Sequence, residues 1–192
     1  MAETAPLGVI SICGSLRKGS FNAALQRTLP ELAPDMMTIE ALPGIGEMPL
    51  YNADIRAEGF PDSVTAMGES IRKADGIIIC SPEYNYSIPG ALKNAIDWLS
   101  RLQDQPFADK PILLQSATAG VLGGARMQYH LRQVMIYLDA MVFNRPEVFI
   151  GSASTKFDAD LKLTDAATRD IVQKQLAGFE TFVRRIIKGR AT

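Results

Sequence analysis

Short apolar runs alternate with amphipathic stretches along this chain. The apolar runs lie at residues 7–13 (LGVISIC), 36–42 (MMTIEAL), 76–81 (GIIICS), 111–116 (PILLQS) and 141–149 (MVFNRPEVF). Each is the length of a strand buried on both faces, and Pro146 suits the last run to a sheet edge. Between them, Leu25, Leu29 and Leu32 in 21–32, and Val64, Met67 and Ile71 in 62–73, recur at the three- and four-residue spacing of a helix. Further helices are expected over 89–102, opened by Pro89, over 124–139 and over 164–188. Strands that alternate with helices in this way predict βαβ units and a parallel sheet covered on both sides. No repeat or linker interrupts the pattern, so residues 1–192 read as one α/β domain. The stretch 43–60 is long for a connection and rich in Gly, Pro and Asn, which marks it as a lid or an interface arm, and 150–163 reads as plain surface loop.

Composition narrows the function. A chain of 192 residues buries enough surface to hold a core without disulfides or a metal. With 20 Lys plus Arg against 21 Asp plus Glu, the formal charge of −1 gives no general attraction to phosphate, and nucleic acid is not an expected partner. Cys13 and Cys80 sit in apolar runs and read as reduced core thiols; they could form a redox pair only if their runs are neighbouring strands. The first residues carry no basic and apolar leader and no run is long enough for a membrane span, so a cytoplasmic protein with no membrane insertion is expected.

Three strand-end loops carry the candidate chemistry. The first run leads through Gly14-Ser15-Leu16-Arg17-Lys18-Gly19-Ser20-Phe21-Asn22 into a helix. A helix N-terminus presents unpaired N–H groups and partial positive charge, so this turn is built either as an anion site or as an ordinary capped turn, with Ser20 or Asn22 as N-cap and Arg17 in solvent. It lacks the Lys and hydroxyl that follow the second glycine of a nucleoside-triphosphate loop, and Leu16 stands where a dinucleotide fingerprint needs glycine. One phosphate monoester suits what remains. The third run ends in Ser81-Pro82-Glu83-Tyr84-Asn85-Tyr86-Ser87, with flat tyrosine faces and amide donors that suit a planar heteroaromatic ring, or else simply a Pro-bounded surface turn. The fourth run opens into Ser116-Ala117-Thr118-Ala119-Gly120-Val121-Leu122-Gly123-Gly124, small and flexible enough to pass close to a ligand. In a parallel sheet all three loops meet at the carboxyl edge, where ligands bind.

These motifs, GSLRKGSFN at 14–22, PEYNYSIPGALKNAIDW at 82–98 and GGARMQYHLRQ at 123–133, are similar to those of the NADPH-dependent FMN reductases, and within them the bacterial chromate and quinone reductases, over about residues 7–187. The resemblance implies a flavodoxin-like three-layer sandwich with a five-stranded parallel sheet of order 2-1-3-4-5. It also implies that Ser15, Arg17, Ser20, Phe21 and Asn22 hold the phosphate and ribityl chain of FMN. Pro82, Glu83, Tyr84, Asn85 and Tyr86 would line the flavin ring, and Ser116, Thr118 and Gly120 would close its far side. The activity implied is ping-pong electron transfer from NADPH or NADH to small acceptors such as quinones, azo compounds, nitroaromatics, chromate or free flavin. Since the cofactor is the catalyst, no side chain is assigned a catalytic role. An electron carrier is the alternative, though such carriers dock through a strongly acidic surface that this balanced charge does not supply; a non-catalytic flavin sensor is another. His130, the only histidine, is expected on a helix surface or interface, Lys93 and Asp97 as an ordinary ion pair, and Glu83 with its backbone rather than its acid turned to the ligand. Apolar residues at 96, 98, 99, 127, 129, 131, 135 and 137 spread widely over two helices, which predicts a homo-oligomer, dimer or tetramer, joined there.

Overall fold

A computed structural model describes residues 5–190. Strands β1 (Leu7–Cys13), β2 (Met37–Ala41), β3 (Gly76–Cys80) and β4 (Pro111–Ala117) pair in parallel in the order β2-β1-β3-β4, and two short strands, β5 (Met141–Val142) and β6 (Val148–Ile150), complete the far edge beside β4. The order is the expected one. The number of strands is not: the run at 141–149 is divided in two because Pro146 lies between its halves and cannot donate to a ladder, so the sheet has six strands rather than five.

The strands are apolar throughout because both faces are covered. Ile10, Ile12, Ile77, Ile79, Ile112 and Leu114 face helices α3 (Asp62–Lys73), α4 (Gly90–Leu99) and α5 (Ala125–Tyr137), while Leu7, Val9, Ile78, Cys80 and Leu113 face α1 (Phe21–Leu32) and α6 (Ala166–Arg190). Alternate residues of one strand thus serve two cores, the reason that no polar stripe marks β3 or β4. Parallel pairing sets Cys13 directly beside Cys80 as register partners. Both thiols are free, and burial raises the pKa of each above its ordinary value, Cys80 the more strongly, so both are held protonated.

Two connecting segments are more ordered than their composition suggested. Residues 43–60 contain a 3₁₀ turn at Ile45–Glu47 and helix α2 (Ala53–Glu58), and the core takes in Ile45 and Met48. Side chains of α4 pin this segment: Trp98 Nε1 donates to the Pro49 carbonyl at 2.8 Å, Asn94 Nδ2 donates to the same oxygen at 2.9 Å, and Asn94 Oδ1 accepts from the Tyr51 N–H at 2.7 Å. The Tyr51 ring meets the buried indole edge-on at 5.0 Å. Residues 150–163 are likewise no plain loop, since Ile150 ends β6, Ala153 opens a 3₁₀ turn, and Phe157 and Leu163 are buried against the α1–α6 core.

The apolar residues of α4 and α5 are also differently employed. Ile96, Trp98 and Leu99 are buried, as are Met127, Leu131 and Met135, because α4 must cover both the sheet and the pinned 43–60 segment. Of the residues that suggested an interface, Tyr129 and Tyr137 are exposed, joined by Ile136.

If the indole hydrogen bond holds the 43–60 segment down, Trp98→Phe should lose about 1 to 2 kcal/mol of stability, read by urea unfolding followed by far-UV circular dichroism. An unchanged midpoint would mean that packing alone anchors the segment.

Candidate functional site

The loops that follow β1, β3 and β4 meet where the chain order reverses beside β1. The first approach is steric. Gly14 donates its N–H to the Cys80 carbonyl at 2.8 Å, and a Cβ on Gly14 would overlap the Ser81 side chain, so a glycine lets the first two loops touch. Beyond it, α1 begins on a side-chain cap: Ser20 Oγ accepts from the Asn22 N–H at 3.2 Å and the Ala23 N–H at 3.3 Å. The guanidinium of Arg17 stands 5.9 Å from the Phe21 ring and enters no salt bridge among the described residues. A free cation therefore stands beside a helix N-terminus, at the end of the sheet where the dipole also favours an anion.

The second loop is a tight reversal. Tyr84 and Ser87 exchange both backbone hydrogen bonds, at 3.1 and 2.9 Å, and the residues between them, Asn85 and Tyr86, take φ values of 49° and 69°. A tyrosine at positive φ is costly, so this turn persists only because its surroundings determine it. Helix α5 supplies them. The Arg126 guanidinium lies 3.6 Å from the centre of the Tyr86 ring and donates through Nε to Glu83 at 2.5 Å. The Glu83 carboxylate also accepts from the Met127 N–H at 3.3 Å, at the start of α5, and His130 Nδ1 lies 2.8 Å from Ser87 Oγ. One face of α5 thus grips the turn at three points.

The third loop contains Gly123 and Gly124, at φ values of 60° and 88°. The Ser116 hydroxyl donates to the Gly123 carbonyl at 2.5 Å and accepts from Gln128 Nε2 at 2.7 Å, and Gln128 Nε2 also reaches the Val148 carbonyl. Together the loops enclose a cleft of about 330 Å³ lined by Ser15, Arg17, Ser20, Phe21, Asn22, Pro82, Glu83, Tyr84, Ala117, Thr118 and Ala119. A larger groove of about 580 Å³ runs along the outer side of α1, but it lies on the flank of the molecule and part of its charge is self-paired through Arg169 and Glu31 at 2.5 Å.

Known proteins resemble this chain in sequence and in fold. The model of the NADPH-dependent FMN reductases matches residues 7–155. The chain belongs to that family. A quinone reductase of Escherichia coli K12 is 54% identical over 182 residues, which cover 94% of this chain and 97% of the relative. An NAD(P)H-dependent FMN reductase of Pseudomonas aeruginosa is 48% identical over 178 residues, 93% of this chain and 96% of that one. Among solved structures, the flavoenzyme NAD(P)H:(acceptor) oxidoreductase of Paracoccus denitrificans superposes with a TM-score of 0.84 at 32% identity, covering 93% of this chain and 98% of that one.

Within this FMN reductase fold, nine of the residues singled out from sequence share the cleft: Ser15, Arg17, Ser20, Phe21, Asn22, Pro82, Glu83, Tyr84 and Thr118. Four do not line it. Asn85 and Tyr86 occupy the apex of the reversal, with Tyr86 71% exposed. Ser116 is wholly buried with its hydroxyl committed to Gly123, and the Gly120 carbonyl accepts from Thr118 Oγ1 and the Ser152 N–H, so these two shape the third loop from behind. The acid of Glu83 is taken up by α5, in keeping with a backbone-facing role, and Lys93 and Asp97 form the expected ion pair at 2.7 Å. His130 is on the helix surface, its Nδ1 beside the Ser87 hydroxyl. Ala117 and Ala119 line the cleft as part of the small loop expected there, and Arg126 reaches Glu83 across 43 positions.

Substituting Gly124 tests how closely the third loop is constrained. Gly124→Ala would force alanine to φ near 88° and its Cβ to 2.8 Å from that of Ser116. A loss of about 1 to 2 kcal/mol or more is expected in thermal or urea unfolding, and wild-type stability would mean that the loop relaxes freely.

Proposed function

We propose that the cleft binds FMN and that the protein is an NAD(P)H-dependent oxidoreductase, with NADPH or NADH as donor and quinones or similar small molecules as acceptors: azo compounds, nitroaromatics, chromate or free flavin. The observation that carries this is the free Arg17 guanidinium beside the N-terminus of α1, in a cleft whose other walls are the Pro82–Tyr84 and Ala117–Ala119 loops. Those residues fit the group. A phosphate monoester matches the cation, the Ser15 hydroxyl and the positive dipole end of α1, while Pro82, the Tyr84 ring and the small third loop offer flat and narrow walls to a planar ring. When bound, FMN supplies two-electron hydride chemistry, and the chain supplies position and hydrogen bonds. Arg17 neutralises the phosphate, Ser20 keeps the helix start ordered, and Glu83, held by Arg126 and the Met127 N–H, keeps the second loop in place.

The charge balance gives no acidic docking field, which favours small-molecule acceptors over protein partners. No helix among the described residues is long and apolar enough to cross a membrane, and the quinone and FMN reductase relatives align over nearly their whole length, so we read the chain as a single domain working in the cytoplasm. Self-association is part of the proposal. Tyr129, Ile136 and Tyr137 are exposed on α5, the last two 76% and 81% accessible, beside a groove of about 340 Å³ between α4 and α5 lined by Lys93, Ile96, Asp97, Arg101 and Val134. A second copy of this chain would cover that surface, as a dimer or a tetramer.

Acid release of the cofactor from purified protein should yield FMN, and an adenine-containing flavin as the main species would overturn the assignment. Arg17→Ala should weaken FMN binding by about 1.5 to 3 kcal/mol, the strength of a charge-assisted bond, in a fluorescence titration; an unchanged dissociation constant would return Arg17 to solvent. Donor and acceptor must use the one opening in turn, since no second nucleotide fingerprint is present. Double-reciprocal plots at several fixed quinone concentrations should therefore be parallel, and intersecting lines would point to two separate pockets. Light scattering at micromolar concentration should give a multiple of 20.9 kDa, and the monomer mass would exclude the α4–α5 interface.

A further inference from the structure

Asn22 has the side chain that a phosphate site would use, yet its amide is engaged within the chain. Nδ2 donates to the Ala117 carbonyl at 2.8 Å, and Oδ1 accepts from the N–H of the same residue at 2.9 Å. The two partners are 95 positions apart and the asparagine is 2% exposed. A primary amide is short, planar and carries a donor and an acceptor side by side, so it can pair with a peptide unit as a neighbouring strand would. An aspartate would set an acceptor against the Ala117 carbonyl, and a leucine would leave both peptide groups buried and unpaired.

We infer that Asn22 is a positioning residue that sets the width of the cofactor cleft, and not a ligand to the cofactor phosphate. It joins the first turn of α1, which forms one wall, to the end of β4, from which the opposite wall grows. Thr118 and Ala119, the next two residues, line the cleft. The far end of the same loop has its own anchor in the Ser116 hydroxyl on the Gly123 carbonyl, steadied by Gln128. Both ends of the loop are thus fixed, while Val121 and Leu122 between them are exposed. Naming FMN as the occupant rests on the reading given above; the clamp itself does not.

A clamp and a ligand differ in what they discriminate. Riboflavin has the ring and ribityl chain of FMN and no phosphate, so a phosphate contact contributes nothing to riboflavin binding, whereas a residue that sets cleft width acts on both flavins. FMN and riboflavin are titrated separately into the flavin-stripped full chain as wild type, Asn22→Leu, Asn22→Ser and Arg17→Ala. The expected result is that Asn22→Leu weakens both flavins by a common factor of about tenfold or more, as the loss of two buried hydrogen bonds allows, while Arg17→Ala weakens FMN selectively. Loss confined to FMN, or no loss for either flavin, overturns the inference. Should the leucine variant not fold, Asn22→Ser is read in the same way. Hydrogen exchange in the ligand-free protein supplies a measure independent of any flavin: amides of 117–120 should exchange faster in Asn22→Ser while those of β1 and β3 keep their wild-type rates, and unaltered exchange at 117–120 overturns the clamp. Wild-type protein that binds neither flavin would instead overturn the FMN reading, with exchange still deciding the role of Asn22.

Discussion

Everything at the site depends on parallel strands ending side by side. Register pairs Cys13 with Cys80, so the loops leaving β1 and β3 start from neighbouring points and compete for the same space. Gly14 resolves that competition by having no side chain where Ser81 stands. Once the backbones are that close, the start of α1 faces the cleft, and although Ser20 caps its Asn22 and Ala23 N–H groups, its dipole and the Arg17 charge favour an anion there. The positive potential at this edge is thus a consequence of topology, supplied in part by backbone that any sequence of this fold possesses.

What the side chains add is restraint. The three loops are short of regular hydrogen bonding, and each is held by a polar side chain reaching from an element distant in sequence. Asn22 reaches β4, Glu83 reaches the start of α5, and Gln128 reaches Ser116 and the Val148 carbonyl. The reversal at Asn85 and Tyr86 shows why restraint is needed, because positive φ at both residues is tolerable only under external contacts, which Arg126 and His130 provide. Rigid loops are the appropriate device where the cofactor performs the chemistry and the protein must hold it in one attitude.

This division explains which parts were legible in the amino-acid sequence. Helix starts, strand lengths and the Gly- and Ser-rich turn are short-range matters, governed by propensity and capping within a few residues, and α1, α3 and β1 lie over the stretches their periodicity marks. Ser116, which the resemblance sets at the far side of the flavin, has its hydroxyl on the Gly123 carbonyl, a partner in a loop whose position depends on the whole fold. The divided edge strand was foreshadowed by Pro146, yet a single residue without a donor says that pairing fails at one point and not that it resumes at Val148. The anchoring of residues 43–60 is hidden for a related reason, since it uses the carbonyl of Pro49 and the N–H of Tyr51, backbone groups of a kind that carries no sequence signal.

The same reasoning bears on α4 and α5. An apolar count on a helix measures how much surface it buries but not against what, and here two claimants exist inside one chain: the sheet and the pinned 43–60 segment. Trp98 shows the second claim, since its ring is wholly buried while its N–H reaches Pro49. After both are met, α4 has nothing large and apolar left in solvent, and the surplus is confined to Tyr129, Ile136 and Tyr137 on α5. That residue set lies on the helix that grips Glu83 and the Tyr84–Ser87 reversal through Arg126, the Met127 N–H and His130. A partner that settled on α5 would therefore press on an element already fastened to the cofactor cleft, so that association and the shape of the second loop would be coupled through a single rigid helix.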